Sequence, residues 1–461
     1  MREWEKRGTS LLQTGHSASF AASIELSLTS PLFRDLGPDA RALITVVAFL
    51  PQGVDENNVD WLFPTISNRT SILDKLCALS LAYRTHEFIT MLAPVRDYLR
   101  PKDPKLSSLL CTTKEQYFTR MSVDIDPNGS SFEESRWITS EDVNVEHLLD
   151  VFTTIDASSD SVWHACANFM RHLRWHNRRL VILKPKIEGL PDDHRSKPEC
   201  LFELAWLFET VGNWVESKQL LTHALKLERE RGNDRGVAQV LRNLSNSNWH
   251  IHLIKEGTQQ AKEASNIFER LGDAKEQAWC LVGLARLLSD NKQFDIAEET
   301  ASHATNLFSE KGDKFRLCES HRVLGEIYDS KGDREKAIDH FGVALGIASP
   351  FGWHDHLFGV HYSLARLFHD QGRFDDTNFH LERAKSHTVN SAYNLGLATQ
   401  MQAGIWYKQH RLEEATSEVV RVIDVYASLG AAKKVEDCKR LLRYIEKEQD
   451  TPAASFNCEL R

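Results

Sequence analysis

Glycines at Gly232, Gly272, Gly312, Gly352 and Gly430 are separated by 40, 40, 40 and 78 residues, so most of the C-terminal half of this 461-residue chain is one unit repeated. A period of that length builds a solenoid, whose stacked units present a long surface and seldom a catalytic pocket.

Aligned on the glycines, Leu204, Leu244, Leu284, Leu324, Leu364 and Gln402 share a position, followed by Ala205, Ser245, Ala285, Gly325, Ala365 and Ala403. Two later positions are also small: Ser217, Gly257, Ala297, Ala337, Thr377 and Ala415, then Ala224, Ala264, Ala304, Ala344, Ala384 and Val422. Small residues at fixed places on two helices let the backbones approach closely, so each unit is expected to be a tight helical hairpin. Gly212, Gly332 and Gly372, with His252, Lys292 and His410 in the other units, mark the turn, where the first helix needs a left-handed residue to stop. Phe208, Leu288, Tyr328, Phe368 and Trp406 lie four residues after the leucine column and extend its buried face, a pattern broken by Asn248.

The clearest copy, HRVLGEIYDSKGDREKAIDHFGVALGIA at 321–348, resembles a tetratricopeptide repeat, with small residues at the helix crossing and aromatics beside them. That family's usual unit has about 34 residues, and the excess here falls after the second helix, in stretches such as LERERGND. Such longer units are similar to those attached to signal-transducing nucleotide-binding proteins. The resemblance implies a mostly all-α chain: six units over 196–434 forming a tetratricopeptide-like solenoid, a capping helix at 435–450 and a disordered tail at 451–461. Where the clock fails, at Ala392 and the two-residue shortening before the last unit, altered packing is expected and the superhelix is expected to bend or close.

The N-terminal half has a different grammar. Leu36-Gly37-Pro38-Asp39 opens a helix with Ala42, Leu43, Val46, Val47 and Leu50 on its apolar face, and Asn57 to Leu62 suggest a short second one. Ser71 is expected to cap a third helix through Leu73, Leu76 and Leu79, and HEFITMLAPVRDYL has the look of a strand and a last helix. Residues 21–105 thus resemble the winged helix, the source of the minor β content, that follows the nucleotide-binding and arc regions (NB-ARC) of fungal, plant and animal STAND regulatory ATPases. Residues 1–20 then correspond to the tail of the preceding helical region. Met91 matches the Met of that family's Met-His pair, whereas Leu92 replaces the histidine that touches ADP, and no GxxxxGK[ST] motif occurs. The chain therefore has no P-loop of its own. Residues 106–195 are expected to be a helical spacer or N-terminal cap, with a loop at 126–131, a capping box from Thr139 to Asp142, and helices at 161–176 and 178–189.

A formal charge of −9 argues against a general binder of nucleic acid or anionic membrane. The eight cysteines never come closer than 20 residues, which excludes CxxC metal or redox spacing, and no leader or 18-residue apolar run occurs, so a cytoplasmic setting is expected. On the first helices the outward positions hold Arg242, Arg286, Arg322 and Arg366, spaced 44, 36 and 44 residues apart. Such a ladder of guanidinium forks suits the carboxylates of an acidic peptide, with Asn246 and Glu326 completing the candidate groove. The alternative is that the arginines pair within the groove, with Glu319, Glu326 and Asp370 at hand. His172 and His176 have helical spacing for a metal, but Arg171, Arg174, Arg178 and Arg179 surround them, so they are read as structural. His354, Asp355 and His356 are assigned to a helix start. No catalytic, nucleotide, metal or cofactor site is expected. The expected function is a protein- or peptide-binding scaffold, as the sensor half of a STAND-type regulator with a nucleotide-binding domain as a further partner. The alternative is a winged-helix DNA-binding regulator, although SILDKLCALSLAYR carries only Lys75 and Arg84.

Overall fold

The computed structural model describes residues 16–121, 137–173, 183–388 and 391–449. The expected opening tail up to residue 15, the loop at 126–131, most of the first turns of the helix at 178–189, His176 and the tail at 451–461 lie outside the described residues. The chain divides into two compact units at His172/Leu173. Residues 106–195, expected to be one spacer, are shared between them.

In the first unit the order is α1 (His16–Thr29), α2 (Pro31–Arg34), α3 (Pro38–Phe49), β1 (Val54–Asp55), α4 (Val59–Leu62), α5 (Arg69–Ala78), β2 (Tyr83–Arg84), β3 (Phe88–Thr90), α6 (Ala93–Leu99), α7 (Ser108–Met121), α8 (Asp142–Ile155) and α9 (Asp160–Leu173). The strands form an antiparallel sheet in the order β1-β3-β2, with Val54 opposite Ile89 and Tyr83 opposite Thr90. Gly53 makes this possible: its φ is +87°, and a Cβ there would stand 2.1 Å from the Ile89 carbonyl oxygen. Pro38 starts α3 behind Gly37, as the sequence implies, and Leu43, Ile44, Val46 and Val47 are buried along it.

Two expected caps are not formed. Asn68 precedes α5, so Ser71 sits inside its first turn. Glu141 precedes α8 without capping it, because its carboxylate is buried instead, accepting bonds from Tyr117 Oη (2.9 Å), Asn144 Nδ2 (2.7 Å) and Asn58 Nδ2 (2.9 Å). Burial pushes that carboxyl's pKa up, while the three donors oppose the shift. Asn144 also accepts from the Gln52 amide and donates to the Gly53 carbonyl, both at 3.0 Å, which ties α8 to the edge of the sheet. A polar core of this kind is stable because every member has a partner.

The second unit begins with α10 (Lys184–Glu188) and continues as pairs: α11 (Lys197–Thr210) with α12 (Trp214–Glu230), α13 (Asp234–His250) with α14 (Ile254–Arg270), α15 (Ala274–Asp290) with α16 (Phe294–Glu310), α17 (Lys314–Lys331) with α18 (Arg334–Ala348), α19 (His354–Asp370) with α20 (Phe374–Ser386), and α21 (Ala392–Lys408) with α22 (Leu412–Leu429). The helix α23 (Ala432–Gln449) packs on α22. All three small-residue columns are buried, with Ala224, Ala264, Ala304, Ala344 and Ala384 each fully so. The crossing at Gly325 has no room for a side chain, since a Cβ there would meet the Phe341 ring at 2.6 Å. All six hairpin turns use a left-handed residue, including the three without glycine: His252 (φ 62°), Lys292 (φ 61°) and His410 (φ 56°). Asn213 and Asp333, each directly after such a residue, cap the second helix by accepting from the amides of Glu216 and Lys336. Asn248 is fully buried, and its amide donates to Gln260 Oε1 at 2.7 Å, which accounts for a polar residue in an apolar column.

The array winds tightly. The turn of the first hairpin touches the start of the sixth, where Gly212 faces Tyr393, and Lys433 of α23 donates to the His250 carbonyl at the end of α13. Both contacts join elements five hairpins apart, so one superhelical turn takes five hairpins and the next abuts it edge to edge.

Replacing Ala344 by Leu forces three extra heavy atoms into a closed crossing and is expected to cost about 1–3 kcal/mol. Gly346, two residues on, faces open space on the same helix, and Gly346→Ala is expected to stabilise by up to about 1 kcal/mol. Urea denaturation of the two variants checks both signs.

Candidate binding groove

The first helices α11, α13 and α15 enclose a cavity of about 200 Å³ lined by Trp206, Trp249 and Trp279 together with Arg242, Asn243, Asn246 and Arg286. Three of the residues singled out in the sequence therefore converge here: Arg242, Asn246 and Arg286. Arg322, Glu326 and Arg366 lie farther along the array, on α17 and α19. The tryptophans were not anticipated. Trp206 nevertheless occupies the position two after the leucine column, the same register as Asn246, Arg286, Glu326 and Arg366. Searching that column for any large side chain would have found it.

The arginines form two internal networks. Arg242 bonds Glu276, whose other oxygen accepts from Arg316 at 2.6 Å. Arg286 bonds Glu319, which also takes Arg322 at 2.6 Å, and Arg322 reaches Glu326 at 2.5 Å. Glu326 accepts further from the Ser363 hydroxyl at 2.8 Å and has Arg366 at 4.0 Å. Burial alone would push the Glu319 carboxyl up, but Arg322 and Arg286 outweigh it and hold the group well below the usual carboxylate range. Glu326 is held low in the same way, burial being opposed first by Arg322. Asp313 lies 3.7 Å from Arg316 and Glu209 lines the cavity, so the five arginines of the inner face are offset by as many carboxylates. The side chain of Arg366 is 48% exposed, against 14% for Arg286, which makes it the most accessible rung. Arg286 also lies over the Trp249 ring at 5.5 Å, and its Nε has no hydrogen-bond partner.

The other clusters have structural duties. His172 is buried in α9. Asp355 sits in the first turn of α19 without capping it, since the capping position belongs to Trp353. His356 shares a 3.1 Å hydrogen bond with the Phe315 carbonyl, and His354 faces His387 with Nδ1 atoms 3.2 Å apart. Two further imidazole pairs repeat one unit apart, His321 with His340 and His361 with His380, each with Nδ1 atoms at 3.0 Å. Among the described residues no group of three or more His, Cys, Asp or Glu side chains is placed to hold a metal ion. Among the same residues no helix is long and apolar enough to cross a membrane.

No protein-family model matches the sequence. A kinesin light chain-related protein of Arabidopsis thaliana is 24% identical over 275 residues, covering 58% of this chain; the chain spans about a third (33%) of that relative's length. The crystal structure of a STAND protein (signal transduction ATPase with numerous domains) with a tetratricopeptide repeat sensor, from Pyrococcus horikoshii, is 13% identical with a TM-score of 0.53 over 95% of this chain and 69% of that one. The array is tetratricopeptide-like. A Rap protein complexed with competence and sporulation factor is similar at 13% identity and a TM-score of 0.47, over 73% of this chain and 98% of that one.

Removing Glu319 takes away the closest carboxylate of Arg286 and leaves Arg322 with Glu326 alone, so Glu319→Ala is expected to destabilise the array by about 3 kcal/mol. Arg366→Ala, at the accessible end, should stay within about 0.5 kcal/mol. Chemical denaturation compares them directly.

Acid should weaken the same region. Burial, helped by the facing His340, pushes His321 down to about 4, and burial with His380 and His387 does the same to His361. The unfolded chain takes up these protons near pH 6.5 and the folded chain only near 4, so stability is full above about pH 6.5 and falls as pH drops through that window. A His321→Gln, His361→Gln double variant should show a shallower fall in melting temperature between those two pH values.

Proposed function

We propose that this chain is a non-enzymatic interaction scaffold whose array holds an extended segment of a partner protein along its inner face. The tryptophan-lined cavity carries the reading. Trp206, Trp249 and Trp279 offer large apolar walls at little conformational cost, and indole rings of this kind dominate binding energy where they are buried by a partner. Asn243 and Asn246 can both donate to and accept from a peptide backbone. Arg366, the most exposed rung, favours an acidic residue of the partner at that end of the groove. Charge pairing inside the groove sets the limit: Arg242, Arg286 and Arg322 are oriented by glutamates and act on a ligand through their remaining donors.

Within this reading the first unit is a winged helix, from the order α3-β1-α4-α5-β2-β3 and its three-stranded antiparallel sheet. The chain is then the sensor and regulatory part of a STAND-type cytoplasmic signalling protein, without a P-loop of its own and with a nucleotide-binding domain as the first unit's partner. The likeness to the Pyrococcus protein supports this, because it spans 95% of the chain. DNA binding by the first unit is less favoured. Arg84 is engaged by Glu56 and Asp74 and Arg69 by Asp60, which leaves α5 poorly furnished to read phosphates.

Selection of acidic peptides on the full chain, followed by calorimetry on Trp206→Ala and Trp279→Ala, tests the proposal. Each truncation should cost about 2 kcal/mol, roughly thirtyfold in Kd. Unchanged affinity in both variants refutes the groove as the binding surface.

A further inference from the structure

The edge contact between successive superhelical turns has features that the packing of neighbouring hairpins lacks. It is small and joins residues about 180 positions apart. Val211, at the first hairpin's turn, is buried in the cluster built by the sixth hairpin and α23, among Tyr393, Tyr426 and Cys438. Beside it Gly212, at φ +75°, leaves no room for a side chain, since a Cβ would lie 2.3 Å from the Tyr393 ring. Burial pushes the Tyr393 hydroxyl's pKa up, and Trp214 beside it opposes the rise. Trp214 is also stacked on His250 with ring centroids 3.6 Å apart and planes 7° off parallel. Lys433 then closes the line with a long 3.4 Å bond to the His250 carbonyl.

Two further observations bear on what this seam does. It adjoins the cavity, because Trp249, a wall of the cavity, is the neighbour of His250. The array also has built-in weak joints. The second helices α18 and α20 have 15 and 13 residues, whereas α12, α14 and α16 have 17, so the fourth-to-fifth and fifth-to-sixth junctions share less contact than the earlier ones. Pro350 accounts for the first shortening, since it cannot continue α18. Packed hairpins that are rigid up to the fourth and loose beyond it localise any flexing there.

We propose that the seam formed by Val211, Gly212, Trp214 and His250 with Tyr393 and Lys433 is a latch, closing the array around its inner face and opening at the two loose junctions to admit the partner segment. The role in admission rests on the groove reading above; the latch itself does not. Once the seam opens, a segment can enter sideways, and reclosing traps it.

Hydrogen exchange and small-angle scattering on the full chain, without any ligand, test the latch separately from the groove. In Tyr393→Ala, amides at 211–214 and 250–253 should exchange about tenfold faster and the radius of gyration should rise, while amides of α15 and α17 stay at wild-type rates. Trp214→Phe, which shrinks the ring stacked on His250 and removes the indole N–H beside Tyr393, should move the same amides in the same direction by a smaller factor. Unchanged exchange at 211–214 in Tyr393→Ala overturns the latch. So does a uniform rise across the whole array, which would make Tyr393 an ordinary core residue. If the latch variants open the array and no peptide binds it, the groove reading fails and the latch stands.

Discussion

The close approach of paired helices at the small-residue columns is the constraint on which the second unit depends. At Ala224, Ala264, Ala304, Ala344 and Ala384 each helix contributes only a fully buried methyl group to the packing. That spacing is what lets six hairpins wind at five to the turn, and the winding brings Gly212 against Tyr393. Dispersion contacts of this kind are individually weak, and their sum over a repeated interface fixes the curvature of the solenoid. The inner face, formed by the first helices, inherits its shape from how closely these alanines let the second helices pack behind them.

Charge is organised differently. In a wide groove an arginine ladder would stand in solvent and wait for an anion. Here the tight winding brings the first helices of successive hairpins near enough that Arg286 meets Glu319 from the next unit and Arg242 meets Glu276. Buried pairs contribute little net stability, but breaking one leaves a desolvated charge, so the networks hold neighbouring hairpins in register. The face that results is lined by indole rings, with guanidinium donors held in place by carboxylates.

Much of this was legible in the sequence because repetition amplifies weak signals. The small columns predict the hairpin crossings, and the turn column predicts a left-handed residue even where it holds His252, Lys292 or His410. The irregularity at Ala392 pointed to the place where the array closes, and Tyr393 beside it makes the contact. What was not legible depends on distance in the chain. Glu276 and Arg316 share one register position, yet nothing local says that Glu276 pairs with both Arg316 and Arg242. Trp206, Trp249 and Trp279 are 43 and 30 residues apart, out of step with the period, and converge only because the superhelix curves. In the first unit, Ser71 and the Thr139–Asp142 motif satisfied local capping rules that tertiary packing overrode: Glu141 is worth more to the fold inside the polar core than at a helix end.

The claim that the inner face of the array is where a partner binds is tested most directly by hydrogen exchange on the full chain with a saturating selected peptide. The account predicts protection concentrated in α11, α13 and α15, around Trp206, Arg242 to Trp249 and Trp279 to Arg286. Protection confined to the outer helices α12, α14 and α16, or to the first unit, would contradict it.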